Sequence, residues 1–324
     1  MLHQQIHNYK IISLLGEGGM ANVYLAENQF LGNKVAVKIL KDNFINNNNI
    51  KNRFIAEAKS LAKISHPNVI NVFDFIEEEN IIAFVMEYIS GPTLFELIYK
   101  KVKLKDVEIY EIFSQMLGAL SFIHQKGFIH RDIKPSNFMV KSDGAIVLLD
   151  FGIAKHFEQL NGEYTATGTF HTMGTPNYMS LEQFSSSKNV TQSSDIYCLG
   201  LVLWFMITGK QPFSNATEFD IVELLERKKK NISSTKTKWD SIIQPMTQPY
   251  VLNRLKTCNE VYKLLAKQKS LLNKGSFFSI LNKKSTKTNE NVNEALKIFV
   301  QKSLRLISVI LIIVFIRIIL SYFK

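Results

Sequence analysis

The chain has 324 residues, of which 46% are hydrophobic and 21% are charged. This composition excludes a mostly disordered chain, a collagen-like repeat and a polytopic membrane protein. Two cysteines, Cys198 and Cys258, are too few for a disulfide framework and favour a reducing compartment. Most of the net charge of +11 lies in residues 263–324, which contain ten lysines and two arginines but only two glutamates. The rest of the chain is nearly neutral, which argues against nucleic-acid binding by a folded face.

The first part of the chain is rich in strand-forming residues. A helix is predicted over 50–64, where apolar residues recur at helical spacing. After residue 93 the periodicity is mostly helical, as in 106–126 and 194–208. A β-rich part followed by an α-rich part predicts two lobes with a cleft between them. The predicted strands are Ile11 to Leu15, Val23 to Glu27, Val35 to Leu40, Val69 to Phe75 and Ile81 to Tyr88.

Two segments near the C-terminus differ in composition from the rest. Residues 267–302 are rich in Lys, Asn, Ser and Thr and predict a basic, flexible juxtamembrane linker. The apolar run Leu306 to Phe323 would span roughly 27 Å as a helix, about the thickness of a bilayer core, and predicts a transmembrane helix over 303–323. Arg317 interrupts it near one end, where it could snorkel. The alternative is a buried or amphipathic helix.

The basic flank of this run predicts an orientation. Lysines and Arg305 precede the apolar run that starts at Leu306. The N-terminus has no apolar run of the kind that marks a secretory signal. We therefore expect a single-pass C-terminal anchor, with membrane lipid as a partner and the preceding domain in the cytoplasm. The charge of the linker is more typical of contact with anionic lipid than with nucleic acid.

A glycine-rich segment lies between the first two predicted strands. Glycines there allow the backbone to approach phosphate groups, but glycine-rich hairpins are common, and the following strand excludes a Rossmann fingerprint. Lys38 breaks the apolar run of the strand that begins at Val35. It could reach back to such phosphates if Glu57 on the following helix held its ammonium in place. The alternatives are a Lys38 side chain directed to solvent and a Glu57 on a solvated helix face. The residues of the segment are Leu15, Gly16, Glu17, Gly18, Gly19, Met20, Ala21, Asn22 and Val23.

The most specific motif is His-Arg-Asp-Ile-Lys-Pro-Ser-Asn at 130–137, followed by Leu-Asp-Phe-Gly at 149–152. With the preceding features in the same order, the chain resembles the eukaryotic-type (Hanks-type) serine/threonine protein kinases, close to the bacterial subgroup. The resemblance covers residues 9–266. It implies an α+β, bilobal protein kinase fold, with a small β-rich N-lobe carrying one main helix and a larger α-helical C-lobe.

The resemblance also implies roles for particular residues. The segment from Leu15 to Val23 is expected to cover the ATP phosphates, with Ala21 in place of a third glycine. Asp132 is expected to act on the substrate hydroxyl, and Lys134 to contact the γ-phosphate. Asn137 and Asp150 are expected to hold Mg²⁺, with Mn²⁺ as an alternative. The other implied ATP-binding residues are Ala36, Lys38, Glu57, Met86 as gatekeeper, and Glu87 and Ile89 in the hinge.

Residues 174–182 resemble the end of an activation loop, although Ser-Leu-Glu replaces Ala-Pro-Glu. Glu182 is expected to pair with Arg254, and Asp195 to brace the catalytic loop. Arg131 has the position of a basic residue that is expected to pair with an anionic group on the activation loop. Autophosphorylation would supply that partner, in trans within a homodimer. The candidate sites are Thr165, Thr167, Thr169 and Thr172.

We therefore expect a membrane-anchored enzyme that transfers the γ-phosphate of ATP to serine and threonine hydroxyls of protein substrates. Three alternatives stay open: a scaffold that binds ATP without transfer, a nucleic-acid-binding protein acting through its basic tail, and a small-molecule kinase. The presence of Lys38, Asp132, Asn137 and Asp150 disfavours the first. The resemblance of the segment around Tyr178 to a peptide-docking surface disfavours the last.

Overall fold

The computed structural model describes residues 5–78, 80–100, 103–150, 176–185, 189–214, 216–227 and 231–269. The predicted transmembrane helix, the linker from residue 270 onwards and the four candidate threonines lie outside these ranges. Within them, no helix combines the length and the apolarity that a membrane span requires.

An antiparallel six-stranded sheet forms the first half of the described fold, with strand order β1-β2-β3-β4-β6-β5. Its central strand β4 is buried at every position after Lys34, which explains its continuous apolar sequence. Residues such as Ile11, Val37 and Val85 form the core on one face. The strands are β1 (Gln5–Ile6), β2 (Tyr9–Glu17), β3 (Ala21–Asn28), β4 (Lys34–Leu40), β5 (Val72–Glu78) and β6 (Ile81–Glu87).

Strand β5 begins three residues later than predicted. Val69 and Ile70 are buried, but they pair with Leu148, which lies outside this sheet: the amide of Ile70 donates to the Leu148 carbonyl at 3.0 Å. Their apolar character therefore reflects a contact between the lobes. The predicted strand start at Val69 was wrong for this reason.

Helix α1 (Asn48–Leu61) packs on this sheet and carries Glu57 on its buried face. The side chain of Asn47 caps the helix by accepting hydrogen bonds from the amides of Asn49 and Ile50. Phe54, one turn before Ala58, packs against Phe84 of β6 with the rings tilted by 42° and 5.1 Å between their centroids. This contact fixes the side of the helix that faces the sheet.

The second half is mainly helical, with the buried helix α5 (Gln192–Thr208) at its centre. Every residue of α5 from Ser193 to Met206 is buried, as expected for a helix that is apolar on all sides. A Cβ atom at Gly200 would lie 2.8 Å from Met246, so glycine permits close packing there. The elements are α2 (Leu94–Tyr99), α3 (Asp106–Gln125), β7 (Phe138–Val140), β8 (Ile146–Leu148), α4 (Leu181–Ser185), α5 (Gln192–Thr208), α6 (Glu218–Val222), α7 (Asp240–Met246) and α8 (Cys258–Lys269).

The predicted arrangement of a β-rich N-lobe with one main helix and a helical C-lobe is therefore confirmed in the described residues. The predicted helices 106–126 and 194–208 agree with α3 and α5 to within two residues at each end.

Candidate active site

The glycine-rich segment forms the hairpin between β2 and β3. The amide of Gly18 donates to the carbonyl of Ala21 at 2.9 Å, and a Cβ atom on Gly18 would lie 2.9 Å from that same oxygen. The turn therefore requires glycine at this position. Ala21, which replaces a third glycine, is the buried first residue of β3. Leu15 is 45% exposed on the opposite strand.

Lys38 lies in β4 and is only 7% exposed. Its Nζ atom is 2.7 Å from Oε1 of Glu57 and 2.9 Å from Oδ1 of Asp150. The Phe84 ring lies alongside, with its centroid 5.5 Å from Nζ. The prediction that Glu57 holds Lys38 is confirmed, and the solvent-directed alternative is wrong. Because Asp150 follows β8, this contact joins the two lobes.

The three charges shift one another's pKa values. Burial alone would lower the pKa of Lys38, but the carboxylates of Asp150 and Glu57 raise it above its ordinary value. Burial raises the pKa of Glu57 to about 7, although the ammonium opposes this shift. Burial would also raise the pKa of Asp150, but Lys38 outweighs it and lowers that pKa. At neutral pH the site therefore presents a cation beside an ionised aspartate.

Asp132 is held in a loop between α3 and β7. Its Oδ2 atom is 2.8 Å from Nζ of Lys134 and accepts a 3.0 Å hydrogen bond from Nδ2 of Asn137. The Asn137 amide also donates to the backbone carbonyl of Asp132 at 2.7 Å. These contacts orient the carboxylate and bring the three predicted residues together.

A buried histidine connects this loop to Asp150. Nδ1 of His130 accepts from the amide of Asp132 at 3.3 Å, so its Nε2–H donates to the carbonyl of Leu149 at 2.9 Å. Burial lowers the pKa of His130 despite the nearby Asp195 charge, and the ring stays neutral. The two aspartates are thus positioned by one imidazole.

Asp195, at the start of α5, braces the same loop as predicted. Its carboxylate accepts hydrogen bonds from the amides of His130 and Arg131, both at 2.8 Å. Arg131 has φ = +66°, a left-handed conformation that costs free energy in a residue with a side chain. The Nε2 atom of Gln183 donates to the carbonyl of Arg131 at 2.9 Å. These bonds stabilise the strained backbone directly before Asp132.

Asn137 and Asp150 offer oxygen ligands that suit a hard divalent cation. Because the Asn137 nitrogen donates to Asp132, its amide oxygen remains for a metal. Asp150 keeps 43% of its side chain exposed while Oδ1 contacts Lys38. In the described ranges no cluster of three His, Cys, Asp or Glu residues could hold a metal alone. The site therefore fits a cation whose remaining ligands are substrate phosphates and water, the coordination typical of Mg²⁺.

The predicted hinge lies at the end of β6. Met86 and Ala36 are buried partners in adjacent strands, and Ile89 is also buried. The carboxylate of Glu87 pairs with Nζ of Lys141 at 2.5 Å. The Glu87 side chain therefore ties the hinge to the β7–β8 hairpin of the C-lobe.

The predicted pair of Glu182 and Arg254 is confirmed. Their side chains make two hydrogen bonds, of 2.7 and 3.2 Å, and the hydroxyl of Ser194 donates to Glu182 at 2.6 Å. Where the resemblance leads one to expect Ala-Pro-Glu, Ser180 donates through both its amide and its hydroxyl to Oε1 of Gln183. Hydrogen bonds thus secure this corner without a proline.

Sequence reasoning missed several residues that support the site. Gln183 and Lys141 belong to no motif. His124 is a buried polar residue on the apolar face of α3, and it contacts Asp195 and Cys258. A polar residue on an otherwise apolar helix face was the available signal for His124.

Comparisons with known proteins agree with this geometry. The protein kinase domain model matches residues 9–306. The chain is 40% identical over 213 residues to serine/threonine-protein kinase PrkC of Bacillus subtilis, covering 66% of this chain and 32% of that protein. It is 42% identical over 206 residues to a probable serine/threonine-protein kinase PknB of Lactococcus lactis, covering 63% of this chain and 32% of the relative.

A probable serine/threonine-protein kinase of Clostridium perfringens is 36% identical over 268 residues, which cover 81% of this chain and 38% of the relative. The chain spans about a third of the length of the curated relatives it matches. The family match covers most of the chain and contains every residue of the site described above. The chain therefore belongs to the protein kinase domain family, among relatives that are bacterial serine/threonine-protein kinases.

Proposed function

We propose that this chain transfers the γ-phosphate of ATP to serine and threonine hydroxyls of protein substrates. The observation that carries the proposal is the ammonium of Lys38, held between Glu57 and Asp150 from opposite lobes. Asp132 lies on the neighbouring loop and is connected to the Asp150 segment through His130. This arrangement supports the proposal, because it connects a cation suited to phosphate oxygens with the loop that carries a carboxylate suited to a hydroxyl proton.

Each side chain has a defined task in this reaction. Lys38 binds phosphate oxygens of ATP, and Glu57 keeps the ammonium in place. Asp132 accepts or steers the proton of the substrate hydroxyl as the phosphoryl group moves. Lys134, 2.8 Å from Asp132, adds positive charge next to that carboxylate and favours serine and threonine as acceptors. Positioning and electrostatic stabilisation supply most of the rate enhancement in such reactions.

Mg²⁺ is the divalent cation we assign to Asn137 and Asp150, with Mn²⁺ as a substitute. When bound, it would neutralise charge on the transferring phosphoryl group. The half-exposed carboxylate of Asp150 and the amide oxygen of Asn137 would be its protein ligands.

Transfer from radiolabelled ATP, followed by phosphoamino-acid analysis, tests the proposal. Asp132→Asn is expected to reduce transfer about 10²- to 10⁴-fold. Asp143→Asn is the matched control, because Asp143 lies in the β7–β8 turn, where its Oδ1 accepts from the amide of Ala145 and an asparagine can do the same. An unchanged rate for Asp132→Asn, or phosphotyrosine as the main product, would refute the assignment. A wild-type chain that binds ATP but transfers no phosphate would favour the scaffold alternative.

Autophosphorylation of the activation segment is a further part of the proposal. The guanidinium Nη1 of Arg131 is buried and has no hydrogen-bond partner among the described residues. A phosphate adds nearly two negative charges and could pair with this group. Replacing Thr165, Thr167, Thr169 and Thr172 together by alanine should lower activity. It should also remove the activation-segment phosphate that we expect mass spectrometry to detect in the wild type. Unchanged activity would exclude this switch. Autophosphorylation in trans within a homodimer should slow on dilution.

Membrane anchoring through residues 303–323 is also proposed, with the kinase domain in the cytoplasm, where ATP is available. The support is the apolar sequence and the basic residues before it, each worth about 1 kcal/mol near anionic lipid. Full-length protein should resist alkaline carbonate extraction from membranes, whereas a chain ending at Lys302 should be released. Recovery of the full-length protein entirely in the soluble fraction would contradict the anchor.

A further inference from the structure

A buried glutamine connects the end of the segment 174–182 to the loop that carries Asp132. Gln183 lies on the short helix α4 and is buried. Its Oε1 atom accepts hydrogen bonds from the amide and the hydroxyl of Ser180, at 2.9 and 3.1 Å. From the same amide group, Nε2 donates to the backbone carbonyl of Arg131 at 2.9 Å. One side chain therefore spans the two segments.

The chemistry of the partners determines which way the Gln183 amide points. The backbone amide of Ser180 can only donate, and the carbonyl of Arg131 can only accept. If the amide were turned over, two donors would face each other at Ser180 and two acceptors at Arg131. The nitrogen of Gln183 is thus the donor to the loop. Because a carboxamide does not titrate, this role is independent of any protonation state.

The accepting carbonyl belongs to the peptide unit that joins Arg131 to Asp132. A peptide unit is planar, so hydrogen bonds at its carbonyl and at its N–H fix its orientation. The N–H, on Asp132, donates to Nδ1 of His130 at 3.3 Å, and the bond from Gln183 to the carbonyl is shorter. Asp195 holds the preceding peptide unit, through the amide of Arg131, and therefore cannot replace Gln183.

We propose that Gln183 is a positioning residue for the phosphoryl transfer proposed above, on which this inference rests. It holds the peptide unit directly before the Asp132 side chain while Arg131 keeps its left-handed conformation, with φ = +66°. Because Ser180 holds the other side of the Gln183 amide, the position of Asp132 depends on the end of the segment 174–182.

Loss of the Gln183 donor would free the Arg131 carbonyl and allow the strained backbone to relax. The carboxylate of Asp132 would then shift relative to the substrate hydroxyl. The expected consequence is a lower kcat, with little change in KM for ATP, since Lys38 and Glu57 do not contact this peptide unit. A general loss of folded protein would lower the activity without this separation of kcat from KM.

The test uses two substitutions of Gln183 in the full-length chain. Gln183→Met keeps the length of the side chain but removes its donor and acceptor. Gln183→Asn remains polar but is one methylene too short to reach both partners, so it decides the question should the methionine variant not fold. Both should lower kcat about tenfold, with KM for ATP within about twofold of the wild type, because small displacements of catalytic groups have large effects on rate.

Two further variants are the controls, and both should keep kcat within about twofold of the wild type. Ser180→Ala removes the hydroxyl bond but leaves the backbone amide of residue 180 to hold Oε1 of Gln183. Val261→Ala removes packing from the buried face of α8, and Val261 takes no part in these hydrogen bonds.

Amide hydrogen exchange, measured by mass spectrometry on peptides that contain residues 130–132, gives a readout independent of activity. Exchange there should be faster in both Gln183 variants than in the wild type and unchanged in the two controls. Unchanged exchange or unchanged kcat in the Gln183 variants, or an equal loss of kcat in Ser180→Ala, would overturn the inference. A wild type that transfers no phosphate, while the exchange differences appear as expected, would instead refute the proposed function.

Discussion

Each lobe contains a buried ion pair, and the two pairs differ in how completely the protein satisfies them. Lys38 and Glu57 approach to 2.7 Å in the N-lobe, and Arg254 and Glu182 approach to the same distance in the C-lobe. All four residues are less than 10% exposed. Similar chemistry and burial therefore do not distinguish a catalytic pair from a structural one.

The partners of the cation make the distinction. Besides Glu182, Arg254 donates to the backbone carbonyls of Ser193, Gln248 and Pro249, so its guanidinium is enclosed by protein acceptors. Lys38 instead faces two carboxylates, which leaves its site with surplus negative charge. A surplus of this kind is balanced when a metal cation binds, as expected for a nucleotide site.

The two glutamates respond in opposite directions. Burial, supported by the nearby charge of Asp150, raises the pKa of Glu57 to about 7 despite the opposing effect of Lys38. Burial would also raise the pKa of Glu182, but its hydrogen bonds with Arg254, supported by Ser194, lower it below the ordinary value. The C-lobe pair should therefore contribute to stability, and the N-lobe pair to activity. The following predictions test this difference.

The largest expected effect is on stability in the C-lobe. Arg254→Leu leaves Glu182 buried without its cation and should lower the free energy of unfolding by about 3–5 kcal/mol. Urea denaturation measures the change. Lys238→Leu is the matched control, because Lys238 pairs with Asp106 at 2.9 Å on the surface and should cost less than about 1 kcal/mol. Equal losses in the two variants would contradict the structural role of the buried pair.

Glu57→Gln should reduce activity without reducing stability. The ammonium of Lys38 loses its brace, and kcat/KM is expected to fall about 10²-fold. Because a buried carboxylate with a raised pKa is replaced by a neutral amide, the free energy of unfolding should not decrease. The control is Glu77→Gln, which alters the surface pair with Lys51. A Glu57→Gln protein that unfolds more easily but retains full activity would reverse our assignment.

The pH dependence of the free energy of unfolding should reflect the ionisation of Glu182. Its pKa is lowered in the folded chain, so the carboxylate contributes stability above its ordinary pKa of 4.5, and this contribution is lost as pH falls through the folded value. The stability difference between wild type and Glu182→Gln should therefore be constant near neutral pH and shrink below about pH 4.5. Denaturation at a series of pH values measures it. A stability difference that grows as the pH falls would show that protonation of Glu182 favours folding, and it would contradict the prediction.

The smallest effect is expected at an exposed helix cap. The hydroxyl of Thr93 accepts from the amide of Glu96, and the Glu96 carboxylate accepts from the amide of Thr93. Thr93→Ala should lower the free energy of unfolding by about 1 kcal/mol. This value gives a scale for the buried pairs. A loss as large as that of Arg254→Leu would mean that burial is not what separates them.

Motif spacing in the sequence predicted the residues of the site more fully than it predicted the details of the fold. The pairing of Lys38 with Glu57 was inferred from their positions after the glycine-rich segment, and the pairing of Glu182 with Arg254 from the resemblance; both are present. Local periodicity placed the start of β5 wrongly, because the apolar residues Val69 and Ile70 contact the other lobe and do not belong to β5. Periodicity reports burial, but not the element against which a residue is buried.

The contacts of His124 could not have been predicted from sequence. Its two partners lie 71 and 134 residues further along the chain, and no motif connects them. Lys141 likewise reaches Glu87 across 54 residues. Such contacts depend on the packing of whole helices and hairpins, which one sequence does not specify residue by residue.

The most direct test of the central claim measures two properties of one variant, Lys38→Met, with Lys51→Met as the control on the surface of α1. The account predicts that phosphoryl transfer from radiolabelled ATP falls about 10³-fold. The free energy of unfolding should change by less than about 1 kcal/mol, because Glu57 can take up a proton once its cation is removed. Retained transfer by Lys38→Met, or a loss of activity matched by a loss of stability as large as that of Arg254→Leu, would contradict a catalytic role for the N-lobe pair.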